Sequence, residues 1–135
     1  MMMLFSAKRL AAVVVSALAW TSTAPARAEI SDYEFQLARS EFGMGNAVEV
    51  VVRLVDKRTG KTVPDAVVVA QRLDMAPDGM ETMTTPLALL PPAEPGLYRF
   101  KTNLTMPGAW RLSVAAKVQG ETGTLENKLT FKAVP

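Results

Sequence analysis

The chain contains no cysteine and no histidine among its 135 residues. Their absence excludes disulfide bonds, thiolate nucleophiles, imidazole bases, zinc fingers and most transition-metal sites that rely on these side chains. The length suits one domain, so a multidomain enzyme is excluded as well. Any chemistry of this protein must use other groups.

The usual combinations of catalytic residues are also missing. The three serines after residue 28, Ser31, Ser40 and Ser113, have no histidine to serve as a base. The glycines fall in turns between predicted strands, so none forms a phosphate-binding loop between a strand and a helix. We therefore expect no enzymatic activity, no catalytic residue and no organic cofactor.

The first 28 residues have the three parts of a secretory signal peptide. Lys8 and Arg9 are basic, the run 10–20 is apolar and uncharged, and residues 26–28 read Ala-Arg-Ala. The apolar run has about half of the roughly 20 residues that a membrane-spanning helix needs. We expect cleavage near Ala28/Glu29, release into the periplasm or the medium, and no stable membrane insertion of the mature domain, residues 29–135.

The charge of the chain depends on this signal peptide. The whole sequence has 15 basic and 13 acidic side chains, a net charge of +2. Cleavage removes Lys8, Arg9 and Arg27 and no acidic residue, which changes the net charge to −1. Without a basic surplus, binding to nucleic acid is not expected.

The mature domain shows apolar residues at every second position, the pattern of strands with one buried face. Turn-forming segments rich in glycine and proline separate these runs. We predict an all-β fold, an immunoglobulin-like antiparallel β-sandwich of about seven strands. The predicted strands cover residues 33–38, 48–55, 66–73, 86–90, 98–104, 110–118 and 125–131, and the predicted core is built from Phe35, Tyr98, Phe100, Trp110 and Phe131.

All five methionines of the mature domain fall in three of the predicted connections. If successive strands run in opposite directions, the connections 43–45, 75–85 and 105–108 share one end of the sandwich. The candidate site residues are Met75, Met80, Met83 and Met106, with Met44 as a further candidate. The segment 74–83, which we expect to be a loop, also carries three carboxylates.

A thioether is a soft neutral ligand, so methionines favour Cu(I) or Ag(I) over Zn(II). Thioethers do not titrate, and such a site would keep its affinity in an acidic, oxidising compartment. The methionine cluster is equally compatible with two roles that need no metal. The side chains would fill gaps over the core, or they would form an adaptable surface that docks a protein.

Several segments resemble the YtkA-like family, which is related to FixH-type proteins. These are DKRTGKTVPDAVV at 56–68, the methionine segment 75–83, Gly-Leu-Tyr at 96–98, and TMPGAWRLSV at 105–114. The similarity extends over roughly residues 47–117. The methionine segment is sparser than the densest versions in the family, and no histidine lies near it.

The resemblance implies a secreted or periplasmic immunoglobulin-like domain linked to copper or other heavy-metal handling, including efflux and the maturation of copper-containing oxidases. It implies an envelope or membrane protein of a metal-transport or oxidase system as the partner. The four residues that match the methionine-bearing segments of the family are Met75, Met80, Met83 and Met106.

Overall fold

Two β-sheets enclose a common apolar core in the computed structural model, which describes residues 28–135. The expected signal peptide therefore lies outside the described residues, apart from Ala28. The strands of the described part are β1 (Tyr33–Leu37), β2 (Glu41–Gly43), β3 (Gly45–Asp56), β4 (Val67–Met75), β5 (Met80–Thr84), β6 (Leu87–Leu89), β7 (Leu97–Leu104), β8 (Gly108–Lys117) and β9 (Leu125–Val134). Short 3₁₀ turns cover Ile30–Asp32 and Ala76–Asp78.

The order of strands is β1-β3-β7-β6 in one sheet and β2-β9-β8-β4-β5 in the other. Neighbouring strands are antiparallel, except that β2 runs parallel to β9. This arrangement is an immunoglobulin-like β-sandwich, as the alternating pattern predicted.

The parallel pair arises because the first strand of the fold changes sheets. The Ala38 amide still bonds to the Val51 carbonyl of the first sheet, whereas the Ser40 carbonyl already accepts the Lys132 amide of the second. The chain therefore crosses between sheets at Arg39, whose guanidinium lies 5.3 Å from the ring centroid of Phe42. It continues in nearly the same direction as β2, which explains why β2 is not antiparallel to its neighbour.

The core lies between the sheets and contains all five predicted bulky side chains. Strand β8 shows why, because its inward positions, Trp110, Leu112, Val114 and Ala116, are all buried. Aromatic pairs with edge-to-face geometry add to the packing, with centroid distances of 5.7 Å for Phe35 and Tyr98 and 5.0 Å for Phe42 and Phe131. The buried set also includes Met75, which has no solvent exposure.

The predicted loop at 75–85 was wrong, because most of it belongs to a hairpin. Strand β4 continues to Met75, a 3₁₀ turn follows, and β5 returns along the sheet edge from Met80. Pro77 favours the turn, and Gly79 closes it with a left-handed φ of 75°. The segment therefore has a defined backbone that can position its side chains.

Candidate functional site

The strand register brings all five methionines of residues 28–135 to one end of the sandwich, here called the methionine end. At this end Gly45 of β3 pairs with Leu104 of β7, so Met44 and Met106 flank adjacent strand termini. Met75 pairs with Met80 across the hairpin. The preceding pair of β4 and β8, Asp74 with Arg111, places this hairpin beside the start of β8.

The methionine side chains differ in solvent access. Met75 is fully buried in the core, and Met80 and Met106 are half-buried and pack against the core. Met44 and Met83 remain 37% exposed. Four of the five predicted site residues are therefore at least partly accessible to solvent, whereas Met75 supplies packing beneath them.

A shallow depression lies over the hairpin. It is lined by Ala76 and by residues 79–83, which include Met80 and Met83. The pairing of β4 with β5 contains a register shift, because Met75 pairs with Met80 whereas Asp74 pairs with Thr84. Residues 81–83 form the bulge between these two pairs. The Glu81 carbonyl in this bulge accepts a hydrogen bond of 2.8 Å from Nη2 of Arg72.

The carboxylate of Asp74 is fully buried and belongs to an ion-pair cluster. Its Oδ2 atom lies 3.0 Å from Nε of Arg72 and 3.1 Å from Nη2 of Arg111, while Oδ1 accepts the Ala76 amide at 3.0 Å. Burial acts to raise the pKa of Asp74, but the Ala76 hydrogen bond and the two arginines outweigh it and hold the pKa below its usual value. The charge of Asp74 thus stabilises the base of the hairpin.

A second carboxylate of the segment, Asp78, is bound to the backbone of β8. Its Oδ2 atom accepts the amide of Ala109 at 2.9 Å. Of the three carboxylates of segment 74–83, Asp74 and Asp78 therefore accept backbone amides, whereas Glu81 is exposed. Arg72 and Arg111 were not among the predicted site residues, although the spacing of Arg72 and Asp74 places both on one face of a strand.

Trp110 holds the turn that carries Met106. Its indole is fully buried, and Nε1 donates a hydrogen bond of 3.1 Å to the Met106 carbonyl. The side chain is thus part of the core, as its inward position predicted. It fixes the backbone of the turn from below and leaves the Met106 side chain half-buried at the surface.

Within residues 28–135 no cluster of three or more carboxylates has the geometry of a metal site. Thioethers are the remaining candidate ligands for a soft ion at the methionine end. None of the helical segments described in this range is long and apolar enough to cross a membrane.

The filamin domain of Lin-41, a solved crystal structure, matches 76% of this chain and 92% of its own length, with 17% sequence identity and a TM-score of 0.46. No curated protein shows a significant match. The model of the YtkA-like family matches residues 27–115, which contain strands β1 to β7 and every methionine discussed above. The chain belongs to the YtkA-like family.

Proposed function

We propose that this protein is an exported accessory protein that binds a soft monovalent ion, Cu(I) or Ag(I), through thioethers at the methionine end. The observation that carries the proposal is the strand register, which gathers all the methionines of residues 28–135 at one end of the sandwich. A chain without cysteine or histidine has no stronger soft ligand to offer.

The accessible thioethers are the proposed ligands. Met80 and Met83 lie on the hairpin and Met106 on the adjacent turn. Met44 lies between β2 and β3, directly before the first residue of β3. A d¹⁰ monovalent ion accepts few ligands without a fixed geometry, so a partial set of these sulfurs suffices. Met75 has no exposed surface, and we assign it to the packing beneath the site.

The proposed biological setting is copper or heavy-metal handling, or oxidase maturation, outside the cytoplasm. The signal-peptide pattern of residues 1–28 and membership of the YtkA-like family support this setting. The proposed partner is an envelope or membrane protein of a metal-transport or oxidase system, to which the ion would pass.

A titration of residues 29–135 with Ag(I), followed by calorimetry, tests the proposal. We expect saturable binding by the wild type and its loss when Met80, Met83 and Met106 are all changed to leucine. Met75→Leu is the matched control, because it makes the same chemical change at a buried position, and it should keep the affinity. A wild-type domain without saturable binding would reject the proposal.

The exposed methionines also support a second candidate function, a metal-free docking or assembly domain of an envelope complex. Met44 and Met83 are each 37% exposed at the same end, and flexible thioether side chains adapt to partner surfaces. This alternative predicts that a partner is recovered from the envelope fraction equally well with and without a copper chelator. It also predicts that the leucine triple variant still complements a strain from which the gene for this protein has been deleted.

A further inference from the structure

We propose that Asp78 is a positioning residue that joins the two methionine-bearing segments of the candidate metal site. The inference rests on the proposed function, because it concerns how that site is held together. One segment is the hairpin with Met75, Met80 and Met83, and the other is the turn with Met106. The side chain of Asp78 connects them across the start of β8.

The connection is a hydrogen bond combined with a close approach. Oδ2 of Asp78 accepts the Ala109 amide at 2.9 Å, directly after Gly108. A Cβ atom at Gly108 would collide with Oδ2 of Asp78 and would lie 2.9 Å from Cε of Met75. Gly108 also has a φ of 136°, which favours glycine. The turn of the hairpin thus packs closely against a position of β8 that carries no side chain.

The sequence distances explain why this contact matters for the methionines. Met80 follows Asp78 by two residues, and Met106 precedes Gly108 by two residues. Fixing Asp78 against Ala109 therefore restricts the distance between these two thioethers. A preformed arrangement of ligands lowers the entropy that binding must overcome.

A second contact restrains the other side of the hairpin. Arg72 bonds the Glu81 carbonyl between Met80 and Met83, and it is itself held by the buried Asp74. Asp74 also accepts the Ala76 amide, so the part of the hairpin beyond this cluster is its tip, residues 77–79. The Asp78 contact restrains that end, so its loss should loosen the turn while the base of the hairpin stays in place.

A role in positioning differs from a role in attracting the cation by its charge. An asparagine at position 78 keeps an oxygen that accepts the Ala109 amide but removes the negative charge. An alanine removes both. Glu81, an exposed carboxylate on the same hairpin, provides the control for charge alone.

The test compares Ag(I) affinity for residues 29–135 carrying Asp78→Ala, Asp78→Asn or Glu81→Gln. We expect Asp78→Ala to weaken binding by about tenfold or more, the range seen when residues that orient metal ligands are removed. Asp78→Asn and Glu81→Gln should stay within about twofold of the wild type. Because Asp78 is exposed, all three variants should fold, which tryptophan fluorescence verifies.

Hydrogen exchange supplies a readout that does not depend on the metal. The Ala109 amide should exchange faster in Asp78→Ala than in the wild type and should stay protected in Asp78→Asn. Equal affinities of wild type and Asp78→Ala would overturn the inference while leaving the metal proposal intact. So would an Asp78→Asn variant that binds as weakly as Asp78→Ala, since charge would then be the cause. A wild type that binds no Ag(I) rejects the proposed function itself, whatever the exchange data show.

Discussion

Truncating Met75 should mainly lower the stability of the domain, whereas truncating Met83 should mainly lower its affinity for metal, although both residues belong to the same hairpin. Met75 is fully buried against Gly108 and the core, whereas Met83 is 37% exposed. We expect Met75→Ala to destabilise the domain strongly, and Met83→Ala to leave the fold almost unchanged while weakening Ag(I) binding.

The magnitude follows from the atoms that are lost. Alanine at position 75 removes Cγ, Sδ and Cε from the core, and about 0.8 kcal/mol for each methylene-sized group gives about 2.4 kcal/mol. The remaining cavity adds to this cost, so we expect a total of about 3 kcal/mol. For a domain of this size the melting temperature should fall by about 10 °C or more. Met83→Ala should cost about 0.5 kcal/mol or less.

Urea unfolding followed by tryptophan fluorescence measures both effects. Trp110 is the one tryptophan of residues 29–135, and its buried indole becomes exposed on unfolding. Met75→Leu is the control for volume and should cost less than about 1.5 kcal/mol. The reasoning fails if Met75→Ala costs less than about 1 kcal/mol, or if Met83→Ala costs as much as Met75→Ala.

Two further predictions concern polar groups that hold the fold. The lowered pKa of Asp74 means that its stabilising contribution is complete above its unfolded pKa, roughly 3.9, and is lost as the pH falls through the folded value. Asp74→Asn should cost about 2 kcal/mol at pH 7 and flatten the acid limb of the stability profile in urea melts between pH 7 and 2.5; parallel profiles would contradict this. Tyr98→Phe should cost about 1–2 kcal/mol, because the hydroxyl accepts the Ala66 amide and donates to the Val63 carbonyl, each at 3.0 Å. Faster exchange of the Ala66 amide should accompany the loss, and unchanged stability would show that water replaces the hydroxyl.

The sandwich was predictable because alternation is a local signal. Inward positions of β7 and β8 recur at every second residue, and Tyr98, Phe100 and Trp110 occupy such positions. Strand β5 gave no such signal, since Glu81, Thr82 and Thr84 are polar and its pairing with β4 contains a bulge. Its existence depends on pairing with β4 and on the Arg72 side chain, and a pattern of apolar residues does not reveal either contact.

The candidate site was predictable in its location and not in its internal order. The direction of successive strands was enough to place the methionines at one end. Packing over the core was one of the roles considered for the methionines, but the sequence did not single out Met75 for it, because β4 runs two residues beyond the predicted strand and carries this side chain inward. The contact of Asp78 with β8 joins residues 31 positions apart and depends on the missing side chain of Gly108.

The change of sheets at Arg39 has a consequence for self-association. The segment before this residue forms one edge of the first sheet, and the segment after it forms one edge of the second. A single crossing thus covers β3 and β9, two long strands that would otherwise present unpaired backbone along one side. The edges left on the opposite side are β5 and β6, of five and three residues, and prolines lie beside them at positions 86, 91 and 92. Detachment of the continuous segment formed by β1 and β2 would therefore uncover the edges of β3 and β9 together, and both edges would be prone to aggregation.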